Sequence, residues 1–152
     1  MTTALTGRCQ CNGISYRISA EPLFTYACHC GSCQKRTGSA FSMGVIVLTE
    51  SLQVEGELTA WSRVSDKGAT NTRYSCADCG NIIYGIGDST PAFAKLQAGT
   101  LDDTRDVRPD VHIWTQNKQA WLNLPDRVPQ FETQPEELST LLQTALDYRA
   151  DS

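Results

Sequence analysis

The sequence predicts a mainly β protein with antiparallel sheets, a short helix inside a cysteine cluster and a second helix near the C-terminus. Short runs of β-branched and aromatic residues recur between turn signals rich in Gly, Pro, Asn and Asp. Residues 135–148 instead carry apolar side chains at the three- and four-residue steps of an amphipathic helix. With 152 residues the chain is expected to form a single domain over residues 1–152.

The first strands lead into the short helix. Apolar and polar residues alternate over 14–18, which is the period of a half-buried strand. Residues 23–27 form a second predicted strand, which ends beside the first thiol of the cysteine cluster. A polar stretch over 31–37 follows, and Gly38 stands where a glycine commonly ends a helix.

The remaining strands are expected between residues 41 and 114. The most apolar run predicts a strand over 41–48, and residues 52–61 are interpreted as a hairpin with its turn near Gly56. Residues 115–130 contain two prolines and are expected to be irregular. Further strands are predicted at 70–75, 82–86, 92–98 and 111–114.

The C-terminal helix is predicted over residues 135–148. Pro135 suits the first turn of a helix, and Thr133 with Glu136 has the spacing of a capping box. Its apolar face is expected to pack against a sheet. That face consists of Leu138, Leu141, Leu142, Ala145 and Leu146.

Charge and hydropathy exclude several classes of partner. A net charge of −4 disfavours a nucleic-acid-binding protein with a broad basic face, and Lys35 and Arg36 are expected to be solvated surface. Residues 1–7 lack the basic start and apolar block of a secretory signal, and the apolar run 45–48 is too short to span a bilayer. We therefore expect a soluble cytoplasmic protein without a membrane or nucleic-acid partner. The sequence does not determine the oligomeric state.

Seven cysteines dominate the chemistry of the sequence. In a reducing compartment, clustered thiols indicate metal binding or catalysis rather than disulfides. Four of them form two pairs, one spaced C-x-C and one C-x-x-C, and four thiolates close a tetrahedral zinc site. These four predicted structural zinc ligands are Cys9, Cys11, Cys76 and Cys79. Counting alone also permits the first pair to join the middle cysteines instead.

The middle cysteines, Cys28, Cys30 and Cys33, follow the pattern C-x-C-x-x-C. Three thiolates leave one zinc position for water or substrate, which is the pattern of a catalytic site. Because three thiolates make such a zinc a weak Lewis acid, holding a substrate thiol as a thiolate suits it better than activating water. The alternatives are a fourth ligand from His29 or His112, a redox C-x-x-C pair, or an iron–sulfur cluster.

His112 and the tryptophans have less specific signals. A histidine in an alternating strand such as 111–114 is commonly structural, and a position near the catalytic zinc is the alternative for His112. The three tryptophans, Trp61, Trp114 and Trp121, are expected in the core rather than as platforms for a substrate.

The cysteine motifs and their flanking residues together resemble a known family. The matching stretches are GRCQCNGISY at 7–16, CHCGSCQKRTGSAF at 28–41, CADCG at 76–80, GTLDD at 99–103, PDVHI at 109–113, LPD at 124–126 and PQFE at 129–132. These stretches resemble the glutathione-dependent formaldehyde-activating enzymes, whose domain is shared with centromere protein V. The resemblance covers about residues 5–132.

The resemblance implies an antiparallel β-tent type fold of small stacked sheets, with two zinc ions per chain. It implies that the Cys9, Cys11, Cys76 and Cys79 group holds the structural ion, whereas Cys28, Cys30 and Cys33 hold the catalytic one. The implied activity is that of a carbon–sulfur lyase, the reversible formation of S-(hydroxymethyl)glutathione from glutathione and formaldehyde. In the mechanism that we infer, the glutathione thiolate binds at the open zinc position and attacks the aldehyde carbon. A non-enzymatic zinc module that binds a protein partner is the alternative.

Overall fold

The computed structural model describes residues 4–152 and divides the chain into two compact units. Of the described residues, the first unit comprises 4–23 together with Val45–Asp106, and the second comprises Phe24–Gly44 and Val107–Ser152. The mainly β class is confirmed, as are the short helix at the thiol cluster and the C-terminal helix. The single domain over residues 1–152 stays a prediction.

Within residues 4–152, ten strands and two α-helices follow one another along the chain. The strands are β1 (Leu5–Arg8), β2 (Ser15–Ile18), β3 (Phe24–Cys28), β4 (Ser42–Leu48), β5 (Leu52–Glu55), β6 (Leu58–Val64), β7 (Thr70–Cys76), β8 (Ile82–Gly87), β9 (Phe93–Gln97) and β10 (Val111–Ile113). The helices are α1 (Gly31–Thr37) and α2 (Leu138–Ala150). Short 3-10 turns lie at Thr49–Ser51, Ala98–Thr100 and Thr115–Asn117.

The first unit contains two antiparallel arrangements. Strands β1, β2 and β5 form a three-stranded sheet, and β6 to β9 pair in chain order as a meander. The predicted alternation over 14–18 is confirmed, because Ile14, Tyr16 and Ile18 are buried whereas Ser15 and Arg17 are exposed.

The predicted hairpin over 52–61 is wrong. Strand β5 pairs with β2, and β6 pairs with β7, so the two segments belong to different pairings. Gly56 lies between them at a φ of +108°, and a Cβ there would meet the Gly13 carbonyl oxygen at 2.2 Å. A glycine is therefore required at the point where the chain passes from β5 to β6, because the space there is too narrow for any side chain.

The second unit departs from the predicted antiparallel arrangement. Strand β10 runs parallel to β3, with Val111 opposite Tyr26 and Ile113 opposite Cys28. A parallel pair requires a long connection, and residues 29–110 separate these two strands. Helix α2 packs on both, which confirms that the C-terminal helix packs against a sheet.

Helix α2 begins later than predicted, at Leu138 rather than at residue 135. Its cap is Glu137, which makes no side-chain hydrogen bond, so the predicted capping box of Thr133 with Glu136 does not form. The Thr133 carbonyl instead accepts the Trp114 N–H at 3.2 Å. Of the predicted apolar face, Leu141 and Ala145 are buried, whereas Leu146 is 45% exposed.

The expectation of tryptophans in the core is wrong for two of the three. Trp61 and Trp121 are 59% and 68% exposed. The guanidinium carbon of Arg73 lies 5.3 Å from the centre of the Trp61 ring, so that ring packs against a cation. Trp114 is half-buried and lies just beyond β10 in the left-handed region, at a φ of +57°.

Candidate metal centres and active site

The four cysteines outside the middle cluster form one group in the first unit. The Sγ atoms of Cys9, Cys11, Cys76 and Cys79 all lie within 4.8 Å of one another. The Cys9–Cys11 sulfur distance is 3.5 Å and the Cys11–Cys76 distance is 3.7 Å. A tetrahedral zinc with bonds of 2.3 Å places its sulfurs about 3.8 Å apart. The group therefore fits the closed zinc site that the sequence predicts.

Tight turns direct these thiols toward one another. Asn12 and Gly80 adopt positive φ angles of 65° and 73°, so the chain reverses directly after each cysteine pair. The Ile14 N–H donates to Cys9 Sγ at 3.1 Å. Burial raises the pKa of Cys9, but this N–H and the neighbouring thiols outweigh it and lower the pKa to about 6. The turn thus favours a thiolate, the form that binds metal.

Three thiols form a second group in the second unit. Cys28 ends β3 and is buried, Cys30 caps α1, and Cys33 lies in its first turn. Their Sγ atoms all lie within 4.8 Å of one another, and within residues 4–152 no histidine nitrogen or carboxylate oxygen joins this group. The alternative in which His29 or His112 completes the site therefore has no support in this geometry.

Hydrogen bonds single out one sulfur of the three. Cys30 Sγ accepts the Cys33 N–H at 3.3 Å. The Cys28 and Cys33 thiols, helped by backbone N–H groups, lower the pKa of Cys30 to about 2. Hydrogen bonds with Cys30 and Cys33 raise the pKa of Cys28. One thiolate thus forms ahead of the others, and three thiolates together need a bound cation such as zinc.

The expectation that Arg36 is solvated surface is wrong, because Arg36 contacts the cluster. Its Nη2 lies 3.9 Å from Cys33 Sγ and also donates to Ser42 Oγ. Residues three apart share one face of a helix, so the spacing from Cys33 is the signal that could have identified it. Lys35, one position away, is exposed as expected.

His29 and His112 form a buried pair beside the cluster. His29 Nε2 lies 3.0 Å from His112 Nδ1, and His29 Nδ1 has no partner among the described residues. The backbone of His29 is fixed as well, because its N–H donates to the Ile113 carbonyl and its carbonyl accepts Gln34 Nε2. The pair therefore holds the segment between Cys28 and Cys30 in place. Each histidine could be singled out from the sequence, but the contact between them could not be predicted.

Tyr26 is a second side chain near the cluster that the sequence interpretation missed. It precedes Cys28 by two residues on β3, so both side chains point to the same face of the strand. Burial is the main cause that raises the pKa of Tyr26; the Cys33 and Cys28 thiols raise it further, and Arg36 lowers it. The phenol is thus within electrostatic reach of both the thiols and the guanidinium.

The comparison with protein families decides the identity of the chain. A sequence profile described as glutathione-dependent formaldehyde-activating enzyme matches residues 4–117. The chain belongs to this family. All seven cysteines of this family member lie within the matched segment.

Two fungal relatives of this family member are also named as glutathione-dependent formaldehyde-activating enzymes, and both names mark that assignment as provisional. The protein of Penicillium rubens is 34% identical over 116 residues, which are 75% of this chain and 54% of the relative. The protein of Emericella nidulans is 34% identical over 77 residues, which are 51% of this chain and 39% of the relative. The matches thus span only about half the length of the relatives, or less.

A solved structure supports the fold. A crystal structure of a Rhodobacter sphaeroides protein superimposes with a TM-score of 0.52 at 19% identity, over 68% of this chain and 91% of that one. At this identity the likeness shows a shared fold.

Across residues 4–152, no helix has the length and apolar character needed to cross a membrane.

Proposed function

We propose that this protein is a zinc-dependent carbon–sulfur lyase-type enzyme acting on a thiol such as glutathione and a small aldehyde such as formaldehyde. The observation that carries the proposal is the group of three thiols formed by Cys28, Cys30 and Cys33. Within the described residues, no histidine, carboxylate or further cysteine joins this group as a fourth ligand. Three protein ligands and one free position are the coordination of catalytic zinc. The family match and the names of the fungal relatives support the two substrates.

In this proposal the three cysteines would hold a catalytic zinc, which supplies a position where a substrate thiol is stabilised as its thiolate. The protein contributes a fixed frame for that position. Cys28 is immobilised at the end of β3, and the histidine pair fixes the segment that leads to Cys30. The Arg36 guanidinium lies beside Cys33 and balances the negative charge that three thiolates and a substrate thiolate bring together.

The bond changes are those of a reversible addition. The sulfur lone pair forms the new carbon–sulfur bond, and the π electrons of the carbonyl move to its oxygen. That oxygen takes up one proton, and the substrate thiol has released one, so the net reaction is neither a redox change nor a net proton transfer. In the reverse direction the same bond breaks and the aldehyde leaves.

The other four cysteines have a different task in this proposal. Cys9, Cys11, Cys76 and Cys79 would hold a structural zinc, because four thiolates leave no position for a substrate. The proposal also includes a cytoplasmic location, since seven unpaired thiols persist in a reducing compartment.

The test is an exchange measurement at equilibrium. Formaldehyde labelled with ¹³C is mixed with glutathione, and the rate of interconversion with the adduct is measured by NMR exchange spectroscopy. We expect the wild-type protein to accelerate exchange and Cys30→Ser to return it to the uncatalysed rate. A folded wild-type protein with two bound zinc ions and no acceleration for glutathione or other small thiols contradicts the proposal. That outcome would favour the non-enzymatic module that binds a protein partner.

A further inference from the structure

We propose that Tyr26 is a catalytic residue of this site, whose hydroxyl donates a hydrogen bond to the aldehyde oxygen while the substrate sulfur attacks the carbonyl carbon. The inference rests on the proposed thiol–aldehyde reaction and adds a residue to it. During the addition, negative charge develops on the aldehyde oxygen and is stabilised by a hydrogen-bond donor. The cysteine thiolates cannot supply that donor, because they carry no hydrogen.

The position of Tyr26 on its strand directs its ring to the thiols. Side chains two apart on a strand share a face, so Phe24, Tyr26 and Cys28 point the same way from β3. Phe24 is fully buried, and its ring centre lies 6.4 Å from that of Tyr26. Tyr26 is half-buried. Its apolar ring is therefore packed, whereas the residue as a whole keeps some access to solvent and substrate.

Gly44 fixes the phenol end of the ring. A Cβ at Gly44 would lie 2.6 Å from the Tyr26 Cε1 and Cζ atoms and 2.7 Å from its hydroxyl oxygen. Those distances are too short for a real side chain, so the phenol lies directly on the glycine backbone. The ring therefore cannot move closer to β4, and this contact restricts the position of the hydroxyl oxygen.

The same face of β4 connects this phenol to the cluster. Ser42 precedes Gly44 by two residues and therefore shares its face. Ser42 Oγ accepts a hydrogen bond from Arg36, whose Nη2 is 3.9 Å from Cys33 Sγ. Together with the strand face that Tyr26 shares with Cys28, these contacts link the phenol to the guanidinium and the thiols.

The other polar groups beside the cluster have tasks of their own. His29 and His112 are buried and hydrogen-bond to each other. The Arg36 guanidinium contacts Ser42 and Cys33. The Tyr26 hydroxyl can rotate its hydrogen toward a bound oxygen without breaking either arrangement. It acts as a hydrogen-bond donor only, and the proton that the oxygen finally takes up comes from solvent, which received the proton of the substrate thiol.

The variant Tyr26→Phe removes only the hydroxyl and keeps the ring against Gly44 and Phe24. We expect its zinc content, its affinity for glutathione by calorimetry and its KM for the thiol to match the wild type within about twofold. We expect kcat to fall about 100-fold, the usual loss when one such donor is removed. Tyr74→Phe is the matched control, since Tyr74 stacks on Tyr84 in the first unit and should leave kcat unchanged.

A second variant moves the phenol without removing its hydroxyl. Gly44→Ala forces the ring off the backbone, and we expect a loss in kcat comparable to that of Tyr26→Phe. If Gly44→Ala does not fold, the result for Tyr26→Phe decides alone.

The outcomes separate this inference from the proposed function. An active wild type with an equally active Tyr26→Phe variant overturns the role of Tyr26 and leaves the proposed function intact. Loss of zinc or of thiol binding in Tyr26→Phe also overturns it, because the residue would then be structural. A wild type without turnover contradicts the proposed function, and the role of Tyr26 falls with it.

Discussion

His29 Nε2 lies 3.0 Å from His112 Nδ1, and both imidazole rings are buried. Burial, and then the neighbouring His29, lower the pKa of His112 to about 4. In the unfolded chain a histidine has a pKa near 6.5. Between these two values the unfolded state binds more protons than the folded state, so the free energy of unfolding falls as the pH falls through this window.

Replacing His112 should reduce that pH dependence. In His112→Asn the amide can still meet His29 Nε2 but does not titrate. Between pH 6.5 and pH 5, we expect denaturant titrations to show a smaller loss of unfolding free energy for the variant. The difference can reach about 1.4 kcal/mol per pH unit. Parallel curves for the two proteins would show that His112 titrates normally in the folded state.

The two thiol groups should respond differently to the loss of one cysteine. Cys76→Ala opens the four-thiol site, and because metal-binding free energy is folding free energy there, we expect a strongly destabilised or unfolded protein. Cys30→Ala should leave a folded protein with one zinc and no activity. Thermal unfolding and metal analysis of both variants check this. Equal unfolding of the two would remove the distinction between structural and catalytic sites.

Arg36 should strengthen metal binding at the three-thiol group. Three thiolates and one divalent cation carry a net charge of −1, and the guanidinium lies 3.9 Å from Cys33 Sγ. For Arg36→Gln we expect zinc affinity at this site to fall about 10-fold, measured by competition with a chelator. Lys35→Gln removes the same charge from an exposed position of α1 and should change the affinity little. Equal effects of both variants would indicate a long-range effect of net charge only.

Asp110 is a structural residue of the second unit that its sequence does not reveal. Its Oδ2 accepts the Thr25 N–H at 2.7 Å and Arg149 Nη2 at 2.7 Å, and its side chain is 8% exposed. This carboxylate therefore connects β3 to the last turn of α2. Hydrogen bonds to a charged group contribute about 1.5–3 kcal/mol.

We expect Asp110→Asn to lower the free energy of unfolding by about that amount. Asp103→Asn is the matched control, because the pair of Asp103 with Arg105 has a similar length, 2.6 Å, but is exposed, and exposed pairs contribute at most about 1 kcal/mol. Chemical denaturation of both variants measures the difference. A loss in Asp110→Asn no larger than in the control would contradict a structural role for this carboxylate.

The sequence predicted the elements that depend on local pattern. The alternation around Tyr16 placed β2, and Gly38 ended α1 in the left-handed region at a φ of 65°. The cysteine spacings predicted a division of the seven thiols into four and three, because residues two or three apart can bind one ion. The grouping itself came from the resemblance, and the structure brings the same residues together.

Features that depend on distant pairing could not be predicted in this way. Strands β5 and β6 are adjacent in the chain and look like a hairpin, yet Gly56 separates them and each pairs elsewhere. The contact of His29 with His112 joins positions 83 residues apart. Tyr26 is different, because its two-residue spacing from Cys28 was already readable as a shared strand face.

The central claim is that one chain holds two zinc ions in two different environments. The most direct measurement is zinc content per chain, determined before and after mild chelation, with folding followed by circular dichroism. We predict two zinc ions, of which one is removed easily with loss of activity while the fold persists, and the other leaves only when the protein unfolds. One zinc per chain, iron in place of zinc, or release of both ions together with unfolding would contradict the account.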